Sequence, residues 1–269
     1  MGGNDEHLTK LAESAALAPR HDMDPFFKET AKEVLVALAR NPNLQEPDLL
    51  RLLERKDLPA EVIREIATHA EASRHYTVKL AIVRHPRTPR RISLPILKFL
   101  YLFDLVRVTQ TPAVPADVKR AAEEAVLTKV GAVSQSEKMT LARRASGRVA
   151  SGLIAAGDRE LIGAALDNPF LTEADLLRVL AVESMLPVVI ELIARHDKWS
   201  CRYHVRLALI RNPMTPLTRV LNFIPDVAVN DLREICLDRR MPEQVRWYVL
   251  AFCAARSGKK RPNRQRASP

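Results

Sequence analysis

The sequence predicts an all-α protein, a solenoid of paired antiparallel helices that carries an internal duplication of about 127 residues. Three observations predict it. The composition is that of helices, with 8 glycines in 269 residues, 5% aromatics, and Leu, Ala, Val, Arg and Glu dominant. Apolar residues recur at helical spacing, as in Leu49, Leu50, Leu53 and then Val62, Ile63, Ile66, whereas strand-like alternation appears over no useful length. The third observation is self-similarity within the chain.

Asn41-Pro42 and Asn168-Pro169 open two segments that align without a gap. Between 41–94 and 168–221, 24 of 54 positions are identical, among them Leu44/Leu171, Asp48/Asp175, Arg51/Arg178, His69/His196, Tyr76/Tyr203, Arg84/Arg211 and Thr88-Pro89/Thr215-Pro216. The same offset continues through Asp104/Asp231, Pro115/Pro242 and Val118/Val245. A shorter echo runs inside each half, where Arg40-Asn41-Pro42 returns as Arg84-His85-Pro86 and Asp167-Asn168-Pro169 as Arg211-Asn212-Pro213. Each motif follows an apolar run, which reads as a helix stopped by proline, because the ring lacks an N–H donor and clashes with the preceding turn. The next helix is expected to start at Thr-Pro, with Thr capping, or at Thr172 with Asp175 three residues on. Gly157-Asp158 reads as a helix end and restart.

The order along the chain follows. Residues 1–25 form a polar N-terminal segment, 26–130 the first helical half, 131–255 the second, and 256–269 a basic tail expected to be disordered. The N-terminus MGGNDEHLTK lacks the pattern of a signal peptide, and Glu6 occupies the position that myristoylation requires as Ser or Thr. Leu94 to Phe103, the most apolar stretch, is too short to span a bilayer and contains Lys98. Cys201, Cys236 and Cys253, an odd number without a C-x-x-C, are expected to be buried free thiols in a reducing compartment. A cytoplasmic location and no membrane association are therefore expected.

The net charge of +10, 42 Lys+Arg against 32 Asp+Glu, is uneven. Six basic residues and no acid follow Ala255, which leaves 36 against 32 on residues 1–255, so the body is only mildly basic.

The repeated [RD]-[NH]-P, followed by a helix start and a Leu pair at a spacing of roughly 40 residues, resembles bacterial HEAT-like and leucine-rich-variant helical repeats over roughly residues 26–255. The resemblance implies helix pairs stacked into a superhelix. It implies no activity, and two activities known among such repeats are not carried over. No cysteine precedes Cys201, where an N-terminal cluster would hold iron and sulfur, and the chain has no His-Glu dipeptide of the kind that binds iron in helical-repeat hydroxylases.

Candidate site residues are basic. Arg84 to Arg91 is the densest cluster of the body, and several guanidiniums at a helix start can hold an anion together with free backbone N–H groups. Arg84 has its counterpart in Arg211 and reads as architectural, whereas Arg87, Arg90 and Arg91 correspond to Met214, Leu217 and Thr218 and are freer to serve a partner. Arg143, Arg144, Lys259, Lys260 and Arg261 complete the set. Asp48/Arg51 and Asp175/Arg178 read as i,i+3 ion pairs. His69/His196 and Tyr76/Tyr203 read as helix-end and bridging side chains, not as acid–base groups.

No P-loop, dinucleotide fingerprint, H-E-x-x-H or nucleophile elbow occurs, so no catalytic residue, metal or cofactor is assigned. The leading expectation is a non-enzymatic scaffold that binds a protein partner through the concave face of a solenoid. The alternative is a nucleic-acid binder that contacts phosphates through Arg87, Arg90, Arg91, Arg143, Arg144 and the tail. A DNA-glycosylase-like enzyme is a third class, for which no aromatic and carboxylate are identifiable. The oligomeric state is left open.

Overall fold

The computed structural model describes residues 2–182, 184–238 and 241–258, and among these the chain is all-helical with no strand. It divides into two compact units, residues 1–132 and 133–269.

The first unit contains α1 (Gly2–Leu17), α2 (Lys32–Ala39), α3 (Glu46–Glu54), α4 (Ala60–Thr68), α5 (Ala70–Arg74), α6 (Tyr76–Arg84), α7 (Arg90–Leu97), α8 (Leu102–Gln110) and α9 (Ala116–Lys129). The second contains α10 (Gln135–Arg144), α11 (Gly147–Ala155), α12 (Arg159–Leu166), α13 (Glu173–Leu180), α14 (Pro187–Arg195), α15 (Asp197–Ser200), α16 (Tyr203–Arg211), α17 (Leu217–Phe223), α18 (Val229–Leu237) and α19 (Glu243–Gly258).

Helix boundaries recur at the sequence offset. Adding 127 to the limits of α2, α4, α6 and α8 gives the limits of α12, α14, α16 and α18. Each Asn-Pro or His-Pro starts one or two residues past the end of a helix, after α2, α6, α12 and α16. One segment departs from the pattern. The second unit has α11 where residues 20–28 of the first form two short 3-10 turns, Arg20–Asp22 and Phe26–Lys28. Pro25 lies between those turns, where it cannot donate to a continuous helix.

Caps explain the starts. Thr172 and Asp175 form the capping box of α13, and Ser134 with Glu137 that of α10. Gly157 adopts φ +85°, the left-handed conformation that ends α11, and Asp158 then accepts the Glu160 and Leu161 N–H groups to open α12. The Thr-Pro turns differ from expectation. Thr88 does not cap α7; its hydroxyl donates back to the Ile82 carbonyl at 2.5 Å, and Thr215 does the same to Leu209 at 2.5 Å. Both threonines are buried, so each hydroxyl finds its acceptor in the helix that is ending.

Within the first unit α1 packs on α2, α2 on α4, and α3 on α6; within the second, α10 and α11 pack on α12, and α13 on α16. The polar N-terminal segment is thus a helix that joins the core through Leu8, Leu11, Ala12 and Ala15, at spacings of three and four. At the other end α19 continues through Gly258, past the start expected for the tail, and residues 259–269 lie outside the described residues.

Further corrections concern single residues. Arg51 pairs with Asp24 and Asp48 with Arg20 at 3.2 Å, so the expected i,i+3 pair forms only in the second unit, between Arg178 and Asp175. Gly147 stands where the first unit has Arg20, and a Cβ there would collide with the Asp175 carboxylate and the Phe170 carbonyl. Of the cysteines, all free, only Cys253 is fully buried; Cys236 is half-buried, its thiol pushed up chiefly by burial, and Cys201 is exposed.

Candidate functional site

The turns after α2, α6, α12 and α16 share a design that positions everything around them. In each, the side chain of Asn or His accepts the backbone N–H two residues on. Asn41 Oδ1 takes Asn43 N–H at 2.9 Å, His85 Nδ1 takes Arg87 N–H at 3.2 Å, Asn168 Oδ1 takes Phe170 N–H at 2.7 Å, and Asn212 Oδ1 takes Met214 N–H at 2.9 Å. The donor side then reaches earlier helices. His85 Nε2–H donates to the Arg55 carbonyl at 2.8 Å, which fixes the tautomer, and burial holds its imidazole below the usual range.

Asn212 is the exception. Its Nδ2 donates to none of the described residues, and it lines an open groove of about 800 Å³ with Leu177, Leu180, Ala181, His204, Leu207, Ala208, Arg211, Pro213 and Asp238. The floor is the row of Leu and Ala between α13 and α16. At the rim, Arg211 pairs with Glu234 at 3.4 Å and His204 Nδ1 lies 3.1 Å from Glu173 Oε1.

A comparison between the units explains the opening. In the first unit the loop after α3 is tied down. Arg55 Nη1 donates to the Phe27 and Glu29 carbonyls at 2.8 and 2.7 Å, Arg55 and Asp57 form an ion pair, and Arg87 Nη1 donates to the Asp57 carbonyl at 2.8 Å. The aligned residues of the second unit are Val182 for Arg55, Ser184 for Asp57 and Met214 for Arg87, none of which carries a guanidinium. Asn212 is also shorter than His85. Among the described residues no such tie joins the α13–α14 loop to the turn after α16, and Val182 and Met214 stay exposed.

The arginines singled out by sequence are only partly available. Arg87 is spent on the Asp57 carbonyl, and Arg90 Nε lies 3.6 Å from Asp117 Oδ2. Both side chains remain exposed beside these partners. Arg91 is exposed, with no ion pair to the described residues. Arg143 and Arg144 are exposed in the last turn of α10. Lys259, Lys260 and Arg261 lie outside the described residues.

The groove residues were missed. Their signal was in the alignment of the halves, in the loss of Arg55, His85 and Arg87 together, but only the tertiary contacts connect those three.

The paired His and Tyr residues have structural partners. His69 Nε2 lies 3.0 Å from the Asn41 carbonyl. Tyr76 O–H donates to Asp104 at 2.5 Å and accepts Tyr101 N–H at 3.0 Å; burial first and then the Asp104 bond push its phenol up to about 12. Tyr203 repeats this, bonded to Asp231 and to Ala228 N–H at 3.2 Å. A second hollow, about 660 Å³ in the first unit, is lined by His75 between Glu46 and Glu71, each 2.9 Å from a ring nitrogen.

Among the described residues no group of three or more His, Cys, Asp or Glu side chains is placed to hold a metal, and no helix is long and apolar enough to cross a membrane. Compared with protein-family models, curated proteins and solved structures, the chain matches none.

Proposed function

We propose that the chain is a non-enzymatic helical-repeat binding module, each unit a short HEAT-like solenoid of paired helices, and that its second unit takes an extended polypeptide segment in the groove over α13 and α16. The single observation that carries this is an apolar floor beside an uncommitted amide donor, the Nδ2 of Asn212. An extended peptide presents a carbonyl about every 3.3 Å and points alternate side chains to one side. It can therefore accept from Asn212 while setting an apolar side chain on Leu177, Leu207 and Ala208. Nucleic acid fits this groove less well. The floor has no aromatic ring for a base to stack on, and Arg211 is already paired with Glu234.

The test is a selection of short random peptides displayed on phage, run against the wild-type protein and Leu207→Glu, with a gel shift on duplex DNA across salt in parallel. The expected result is enrichment of peptides sharing an apolar anchor, lost in Leu207→Glu. Equal enrichment by both proteins, or none together with salt-steep DNA binding, overturns the proposal.

A further inference from the structure

The second unit carries another apolar surface, lined by none of the groove residues. On α19 the side chains of Trp247, Leu250, Ala251 and Ala254 are all exposed, Trp247 at 64% and Leu250 at 53%. Their spacing of three, four and seven places them in one stripe. The Trp247 ring stands edge-on to Tyr248 at 5.1 Å, and these rings flank a hollow of about 770 Å³ that reaches Leu217 on α17.

The first unit shows that the repeat does not require this. The residues of α9 aligned with Trp247, Leu250 and Ala251 are Arg120, Glu123 and Glu124, and those aligned with Met214, Leu217 and Leu237 are Arg87, Arg90 and Gln110. Polar residues in one unit are apolar in the other at six aligned places. The replacements fall on surface positions, where they do nothing for the core.

We propose that the stripe pairs with the same stripe of a second copy of this chain, α19 against α19, antiparallel about a two-fold axis between Leu250 and Ala251. The stripe is complementary to itself under that operation. Trp247 falls opposite Ala254 and Leu250 opposite Ala251, a large side chain over a small one each time, which is the knob-and-hole match that close helix packing needs. Antiparallel pairing also opposes the two helix dipoles.

The test uses the full chain of 30.2 kDa in sedimentation equilibrium from low to high micromolar concentration. The expected result is a mass that rises towards twice the monomer value. Leu250→Arg is expected to weaken association by at least about tenfold, with its helical circular dichroism unchanged because the side chain is exposed. In a Cys201→Ser background, Ala251→Cys is expected to form an interchain disulfide on oxidation, whereas Ala255→Cys, off the stripe, does not. A monomer at every concentration, or a dimer indifferent to Leu250→Arg, overturns the proposal. Peptide selection on the groove is independent of either outcome, since no groove residue is altered.

Discussion

The side-chain amides of Asn41 and Asn168 make the same pair of bonds 127 residues apart. Asn41 Nδ2 donates to the carbonyls of Ala15 and Ala18, both at 2.9 Å, and Asn168 Nδ2 to those of Ala142 and Ala145 at 2.8 and 3.0 Å. Both asparagines are fully buried. Each therefore fastens the end of an earlier helix, α1 in the first unit and α10 in the second, to the turn that follows α2 or α12. Replacing Asn168 by Ala strands two carbonyls and the Phe170 N–H. The expected loss is about 1–3 kcal/mol in urea unfolding, and a loss under about 0.5 kcal/mol would show that water replaces the amide.

Tyr76 gives a second prediction, in alkali. Its phenol is held up to about 12, first by burial and then by Asp104, against the ordinary value near 10. Because the folded value exceeds the unfolded one, the stability this phenol contributes is complete below about pH 10 and is lost as pH rises through about 12. Ultraviolet titration of the four tyrosines should show Tyr203, held up by its bond to Asp231, and Tyr76 titrating late, and Tyr76→Phe should remove one late tyrosine from the count. An unchanged number of late-titrating tyrosines after the substitution would contradict the assignment to Tyr76.

His85 sets the acid limb. Burial lowers its folded value below 6.5, so the neutral ring contributes stability above the unfolded value, and this is lost as pH falls through the folded one. His85→Asn places in the first unit the residue that the second has at Asn212. It keeps an acceptor for Arg87 N–H and removes the titrating group. Melting temperature measured from pH 7 down to pH 5 is expected to fall less steeply in the variant; an unchanged slope would exclude His85 as a source of acid sensitivity.

The helical class and most helix ends were legible in sequence, because proline stops and apolar spacing are local. The pairing of Tyr76 with Asp104 and of Tyr203 with Asp231 lay within the aligned segments, but a spacing of 28 residues gives no local sign of contact. Arg51 illustrates why the rest was hidden. Its helical neighbour Asp48 is the nearer acid along the chain, yet the fold brings Asp24 to Arg51 and Arg20 to Asp48. The α1 helix was obscured by short alanines among polar residues, and its place in the core rests on contact with α2. The groove depends on bonds that Val182, Ser184 and Met214 do not make, which no composition reveals.

The arginine cluster divides by partner. Arg87→Met removes the bond to the Asp57 carbonyl and is expected to cost about 0.5–1.5 kcal/mol. Arg91→Thr, at an exposed side chain, is expected to stay within about 0.5 kcal/mol of wild type. Chemical denaturation of the two variants distinguishes a structural arginine from a surface one, and equal effects would contradict that division.

Hydrogen exchange with a selected peptide bound tests the central claim most directly, because it locates the site without mutation. Slowed exchange is expected in residues 173–182 and 203–214, centred on the Met214 N–H held by Asn212, with the aligned residues 46–55 and 76–87 of the first unit unchanged. Slowed exchange confined to the first unit, or to the arginines of α7, would contradict it.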